Sequence, residues 1–190
     1  MVITRSISKL LSIENITENY TIGYKLVFVE PESIISGPKT NNVFGIAKLM
    51  IPGESKTNLE RDVVNKKYAK YRAEYAKVLY IKSIIGRTMY RRAYSALKPG
   101  GYYICGKYIS SNKWNDNIDE VCTNGIHFYL SKQSVYSLYL TMTNYNITKT
   151  TLKNIINPFR TYICADDYGK LEFIGKYDKK GNLYKIKSYL

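Results

Sequence analysis

The sequence predicts one compact α+β domain with a mixed or mostly antiparallel sheet, a few short helices and a small C-terminal β-meander. Three observations predict it. Short runs rich in β-branched and aromatic residues recur along the chain between proline and glycine stops, as strands do. One stretch, Cys122–Met142, passes from a period of two to helical spacing. The last thirty residues carry a repeated turn signature. A length of 190 residues suits a single domain with a substantial core.

Residues 1–19 are polar, with weak helical character. Tyr20–Glu30 (YTIGYKLVFVE) reads as a strand, stopped by Pro31 and the turn residues Ser36-Gly37-Pro38. Val43–Ile51 (VFGIAKLMI) reads as a second strand, closed by Pro52-Gly53. The polar stretch from Glu54 to Ala73 leads to a predicted short helix over Leu59–Tyr75, and Ala76–Ile81 is a strand by composition. Met89–Leu97 is a second predicted helix, ended by Pro99-Gly100-Gly101. Tyr102–Ile109 is a strand, and Ser110–Glu120 is a polar loop.

In the pivotal stretch, Ile126, Phe128 and Leu130 fall on one strand face and His127 and Tyr129 on the other. Gly125 serves the turn that starts this strand. Val135, Leu138, Tyr139 and Met142 then follow helical spacing, and Ser131 is placed to cap the helix N-terminus. The expectation is that this helix covers Ile126, Phe128 and Leu130. A further short helix is predicted over Lys149–Ile156, ended by Asn157-Pro158. Asp166–Leu171 and Asp178–Leu183 share D-x-x-G-x-L, which predicts a meander of Arg160–Cys164, Leu171–Tyr177 and Leu183–Tyr189. The organisation expected is a main domain over 1–158 and a meander appendage over 159–190.

Composition narrows the function classes. No apolar run approaches a membrane span, and the N-terminus lacks the apolar core and cleavage site of a secretory signal. Three cysteines without such a signal favour reduced thiols. No C-x-x-C pair or other ligand spacing indicates a metal, and no motif calls for a cofactor. Gly101–Lys107 fits the skeleton G-x-x-x-x-G-K, but its interior reads as strand and Tyr108 replaces the hydroxyl residue that would reach Mg²⁺.

The net charge is +14, and it is uneven. Residues 1–60 are balanced, whereas residues 61–113 hold 13 basic and 2 acidic side chains. There cations interleave with tyrosines: Lys66, Lys67, Lys70 and Arg72, then Arg87, Arg91 and Arg92 with Tyr90 and Tyr94. Cations neutralise phosphates and tyrosines stack on unpaired bases, so these residues are candidates for nucleic-acid contact. An acidic protein surface would satisfy the same charges. Cys122 and His127 are the candidate catalytic pair, because a thiol beside an imidazole is the nucleophile–base arrangement of covalent catalysis. The carboxylates Asp116, Asp119, Glu120, Asp166 and Asp167 read as turn formers.

Ile46–Pro52, Tyr71–Ile81, Ala93–Ser95 and the Cys-x-x-Gly-Ile-His-Phe run at 122–128 resemble an uncharacterised domain of giant, mimivirus-like DNA viruses, often found near pentapeptide repeats. The family-like core covers about 46–142. The resemblance implies a viral protein of the host cytoplasm or the virion and supplies no reaction. Gly125-Ile-His-Phe128 and the capped helix after it are also similar to the Gly-Ile-Tyr-Phe element of ADP-ribosyltransferases, with His127 in the place of the stacking tyrosine. With a single histidine in the chain, that family's His-Tyr-Glu set cannot be assembled. The leading expectation is therefore a non-catalytic binding or structural module with a basic face. The alternative is an enzyme centred on Cys122 and His127, ADP-ribosyltransferase-like or thiol-dependent.

Overall fold

Strand β1 (Tyr20–Val29) is buried on both faces, and its period of two sorts the molecule into two cores. The computed structural model describes residues 19–39, 43–96, 101–142, 161–177 and 183–188. After β1 come a short 3-10 turn (Pro31–Ser33), β2 (Ile34–Ser36), β3 (Phe44–Pro52), β4 (Lys70–Ala73) and β5 (Tyr75–Ser83). Next are β6 (Met89–Tyr90), β7 (Arg92–Ser95), β8 (Tyr102–Ile104), β9 (Tyr108–Ser110), β10 (Ile126–Tyr129) and α1 (Lys132–Met142). A separate three-stranded antiparallel sheet follows, made of β11 (Thr161–Ala165), β12 (Leu171–Tyr177) and β13 (Leu183–Ser188).

The ten strands β1 to β10 form one sheet whose ladders are all antiparallel. It closes on itself. β3 lies between β1 and β5, β6 pairs with β5, and β7, one residue further along the chain, pairs with β1. A second closure runs through β4, which continues into β5 past Glu74 and pairs with β10, itself paired with β1. Closure gives the central strands partners on both sides and removes their open edges.

The inner face holds Val27, Val29, Ala47, Leu49, Tyr71 and Phe128, all buried. On the outer face of β1 and β3, Leu26 and Ile46 pack under Val135, Tyr139 and Leu140 of α1. Aromatic rings run across this layer, Tyr94 against Phe28, Phe28 against Phe44 and Phe44 against Tyr139, with centroids 5.6, 4.8 and 5.1 Å apart. The predicted cap is present: the Ser131 hydroxyl accepts from the Gln133 N–H at 3.1 Å.

The α+β expectation with several helices is corrected to a nearly all-β protein, since α1 is the one α-helix among the described residues. Leu59–Tyr75 is turns followed by strand; Ala69, Tyr71 and Ala73 are all buried, which is a period of two. Met89–Leu97 reads as helical because Tyr90 and Ala93, three apart, both point inward. The chain achieves this by stepping out of the ladder at Arg91 between β6 and β7. The packing expectation for α1 is corrected too. Ile126 and Phe128 face the inside of the ring, and α1 covers Leu26 and Ile46 instead. The predicted helix over Lys149–Ile156 and the second D-x-x-G turn lie outside the described residues.

Candidate functional site

Two strands share one edge of β1 without meeting. β10 pairs with it at Tyr24, and β7 pairs with it from Val27 to Val29. Between them the sheet divides, and a cleft of about 410 Å³ opens. Lys25, which sits at the division, Lys70 and Lys113 line it, together with Tyr103, Cys122 and His127. No carboxylate is among the lining residues.

Lys25 is only 7% exposed. It shares the inward face of β1 with Gly23, Val27 and Val29, so the ammonium needs built partners. Its Nζ donates to the His127 carbonyl at 3.1 Å and lies 5.7 Å from the centre of the Tyr103 ring. Burial pushes the Tyr103 hydroxyl well above the usual phenol range.

The β4–β10 register sets Tyr129 opposite Lys70 and His127 opposite Arg72, all on the outer face. Segment 111–125 covers that face, and Arg72 holds it there. The Arg72 guanidinium donates to the carbonyls of Glu120 (2.8 Å), Asn115 (2.7 Å), Asn124 (3.3 Å) and Asn117, and it stacks 4.3 Å from the Trp114 ring. Desolvation lowers its pKa below the usual guanidinium value. Asn58 adds a second tie: its carbonyl oxygen accepts from the Arg72 N–H at 2.7 Å, and its amide donates to the Ile118 carbonyl at 3.1 Å. Gly125 has φ +136°, and a Cβ there would sit 3.0 Å from the Arg72 Cβ.

The turn at 166–170 is not part of the lining but touches two residues that are, Lys70 and Cys122. Asp166 Oδ1 accepts from the N–H groups of Tyr168 and Lys170, both at 2.9 Å, the turn role expected of it. Asp167 does more. Its Oδ2 lies 3.4 Å from Lys70 Nζ and 3.3 Å from Cys122 Sγ, while Lys70 Nζ is 3.4 Å from the same sulfur. The Asp167 carbonyl accepts from the Lys70 N–H at 3.1 Å and from Arg61 Nη2 at 2.8 Å. Tyr129 lies beside this group, and its hydroxyl is pushed up by burial first, then by Asp167 and Cys122.

Residues 12–135 match a family of unknown function, DUF5758. The chain belongs to this family. No curated protein and no solved structure matches it. The DUF5758 match starts well before Ile46 and ends inside α1. It includes Lys25, Lys70, Cys122 and His127 of the cleft and leaves out Asp167.

The DUF5758 fold distributes the predicted basic residues rather than gathering them. Lys66 and Lys67 are exposed before β4, and Arg87 is exposed after β5. Both β4 and β5, the latter nine residues and about 27 Å long, run between these groups. Lys70 turns into the cleft, and Arg72 is fully buried and occupied by carbonyls, so it cannot meet a phosphate. Arg91 and Arg92 are exposed together, with Arg92 Nε 2.9 Å from Glu30 Oε2.

His127 and Cys122 both line the cleft. The imidazole Nε2 is 2.7 Å from the Val121 carbonyl, which can only accept, so Nε2 carries the hydrogen. The contacts of Cys122 Sγ described above are with Lys70 and Asp167. The sequence carries no site signal at Lys25, and at Asp167 it signals only a turn. Counting back by twos from Val29 would have placed Lys25 inside; nothing local distinguishes Asp167 from a turn residue.

Proposed function

We propose that this DUF5758 domain is a non-catalytic module that binds single-stranded nucleic acid across β7, β8 and the mouth of the cleft. One observation carries the reading. Tyr94 and Tyr102 stand directly opposite each other on β7 and β8, 45% and 57% exposed, with the Arg92 guanidinium 5.9 Å from the Tyr102 ring. Exposed rings on an antiparallel sheet are stacking surfaces for unpaired bases, and adjacent cations neutralise phosphates. Lys77 over the exposed Tyr108 ring extends the surface along β5 and β9. Ser95 and Gly101, next to the two tyrosines, belong to the cleft wall, so Lys25, Lys70 and Lys113 lie alongside. A duplex keeps its base faces stacked, so the rings favour single strands. A giant-virus source, and a place in the host cytoplasm or the particle, belong to the same reading and rest on the resemblance over Ile46–Tyr139.

The test is fluorescence anisotropy with labelled oligonucleotides, single-stranded and duplex, across a salt series. Tighter single-strand binding is expected, with each of Tyr94→Ala and Tyr102→Ala costing about 1–3 kcal/mol. Equal affinity for duplex, indifference to both substitutions, or equal competition by an acidic peptide would leave only non-specific attraction to a basic protein.

A further inference from the structure

Lys70, Cys122 and Asp167 come from three separate segments and meet in a closed triangle, every side 3.3–3.4 Å. The backbone holds the triangle in place. Lys70 and Asp167 are tied through their own main chains, and Arg61, itself buried, donates Nη2 to both carbonyls at 2.9 and 2.8 Å. Gly169 keeps the turn there with φ +77°, where a Cβ would fall 2.2 Å from the Asn65 carbonyl oxygen. Cys122 is exposed, whereas the Lys70 side chain is 14% exposed. An amine is therefore fixed against a thiol that a small oxidant can reach.

We propose that Lys70 and Cys122 are a peroxide-driven modification site, joined on oxidation by an N–O–S link. The Cys122 sulfur attacks one oxygen of hydrogen peroxide, the O–O bond breaks, and the departing hydroxide takes the thiol proton by way of Asp167, leaving the sulfenic acid and water. The Lys70 amine, its extra proton passed to solvent, attacks a second peroxide to give the hydroxylamine and a second water. The hydroxylamine oxygen then attacks the sulfenic sulfur and expels hydroxide, which leaves as a third water with the hydroxylamine O–H proton. In sum, thiol, amine and two peroxides give the link and three waters. The link ties β4 to the segment before β10 and removes a cation from the cleft. Cys105 is a built-in comparison. It is half-buried, its thiol donates to the Tyr90 carbonyl at 3.0 Å, and burial pushes its pKa up.

The experiment treats the full chain with hydrogen peroxide and reads intact and fragment masses. The expected product is a Lys70–Cys122 cross-linked peptide with one oxygen gained and two hydrogens lost, reversed by dithiothreitol. Cys122→Ser and Lys70→Arg abolish it. Lys70→Arg keeps the charge and the stem, and its Cys122 sulfenic acid is still trapped by dimedone. Asp167→Asn slows the link severalfold. Sulfenic or sulfinic acid on Cys122 with Lys70 unlinked, a Cys122 disulfide, or oxidation of Cys105 ahead of Cys122 would each overturn the proposal. The readout is covalent mass, so its failure leaves the nucleic-acid reading standing.

Discussion

On the outer face of β1, α1 lays Val135, Tyr139 and Leu140 over Leu26 and Ile46. Across the ring, the outer face of β4 and β10 is covered by segment 111–125, which is mostly polar and irregular. The helix satisfies its own backbone and can offer apolar area as its contribution. The loop has carbonyls left over, and one buried guanidinium collects four of them. The difference teaches why the cleft lies where it does. A face sealed by area has no polar groups to spare, whereas a face sealed by directional bonds leaves lysines, a thiol and an imidazole at its margin.

The comparison breaks most sharply at Arg72. Arg72→Met removes the guanidinium donors to four loop carbonyls, and hydrogen bonds to a charged donor contribute about 1.5–3 kcal/mol each before the carbonyls regain water. A loss of at least about 3 kcal/mol is expected in urea unfolding, with amide exchange in 111–125 rising further than exchange in β1 and β3. Arg72→Lys should not rescue it, because a single ammonium cannot span the fork of acceptors. A loss within about 0.5 kcal/mol, the range of an ordinary surface substitution, would show that the loop is held by something else.

Leu26→Ala tests the other face. Truncation of a buried leucine costs about 2–4 kcal/mol through lost transfer energy and the cavity left behind. Here the loss should be global, with the protection pattern of 111–125 falling only in step with the rest. Preferential opening of the loop in this variant would mean that the two faces are coupled through β1.

Much of this division is visible in the sequence once β1 is read with a strict period of two. Leu26 and Phe28 go to one side and Lys25, Val27 and Val29 to the other, and the Ile126–Phe128 alternation is equally plain. The fold class is hidden where period two is interrupted. Tyr90 and Ala93 imitate helical spacing only because Arg91 leaves the ladder, and no local signal marks that step. The run of basic residues looks like one face when written as a line, yet a strand sends alternate residues to opposite faces and β5 carries its ends apart. The Asp167 contacts join positions 97 and 45 apart in sequence, which no spacing argument can reach.

The smallest effect is expected at alkaline pH. Tyr103 on the cleft side and Tyr129 beside Lys70 are both pushed up by burial from the ordinary phenol value of about 10. The folded state then holds these protons more tightly than the unfolded chain does. Their contribution is fully present below about pH 10 and is lost as pH climbs through the folded values, so stability should fall only above about pH 10. Tyr103→Phe and Tyr129→Phe should each reduce that slope, and phenolate absorbance should show both hydroxyls titrating late. The pair also separates two surroundings, one inside the cleft and one beside it. Tyr129 has the Asp167 charge opposing its ionisation as well as burial, whereas Tyr103 has burial alone, with the Lys25 ammonium over its ring. Asp167→Asn should therefore bring Tyr129 down and leave Tyr103 in place. Movement of both together would mean that the turn at 166–170 and the β7–β8 wall open as one unit.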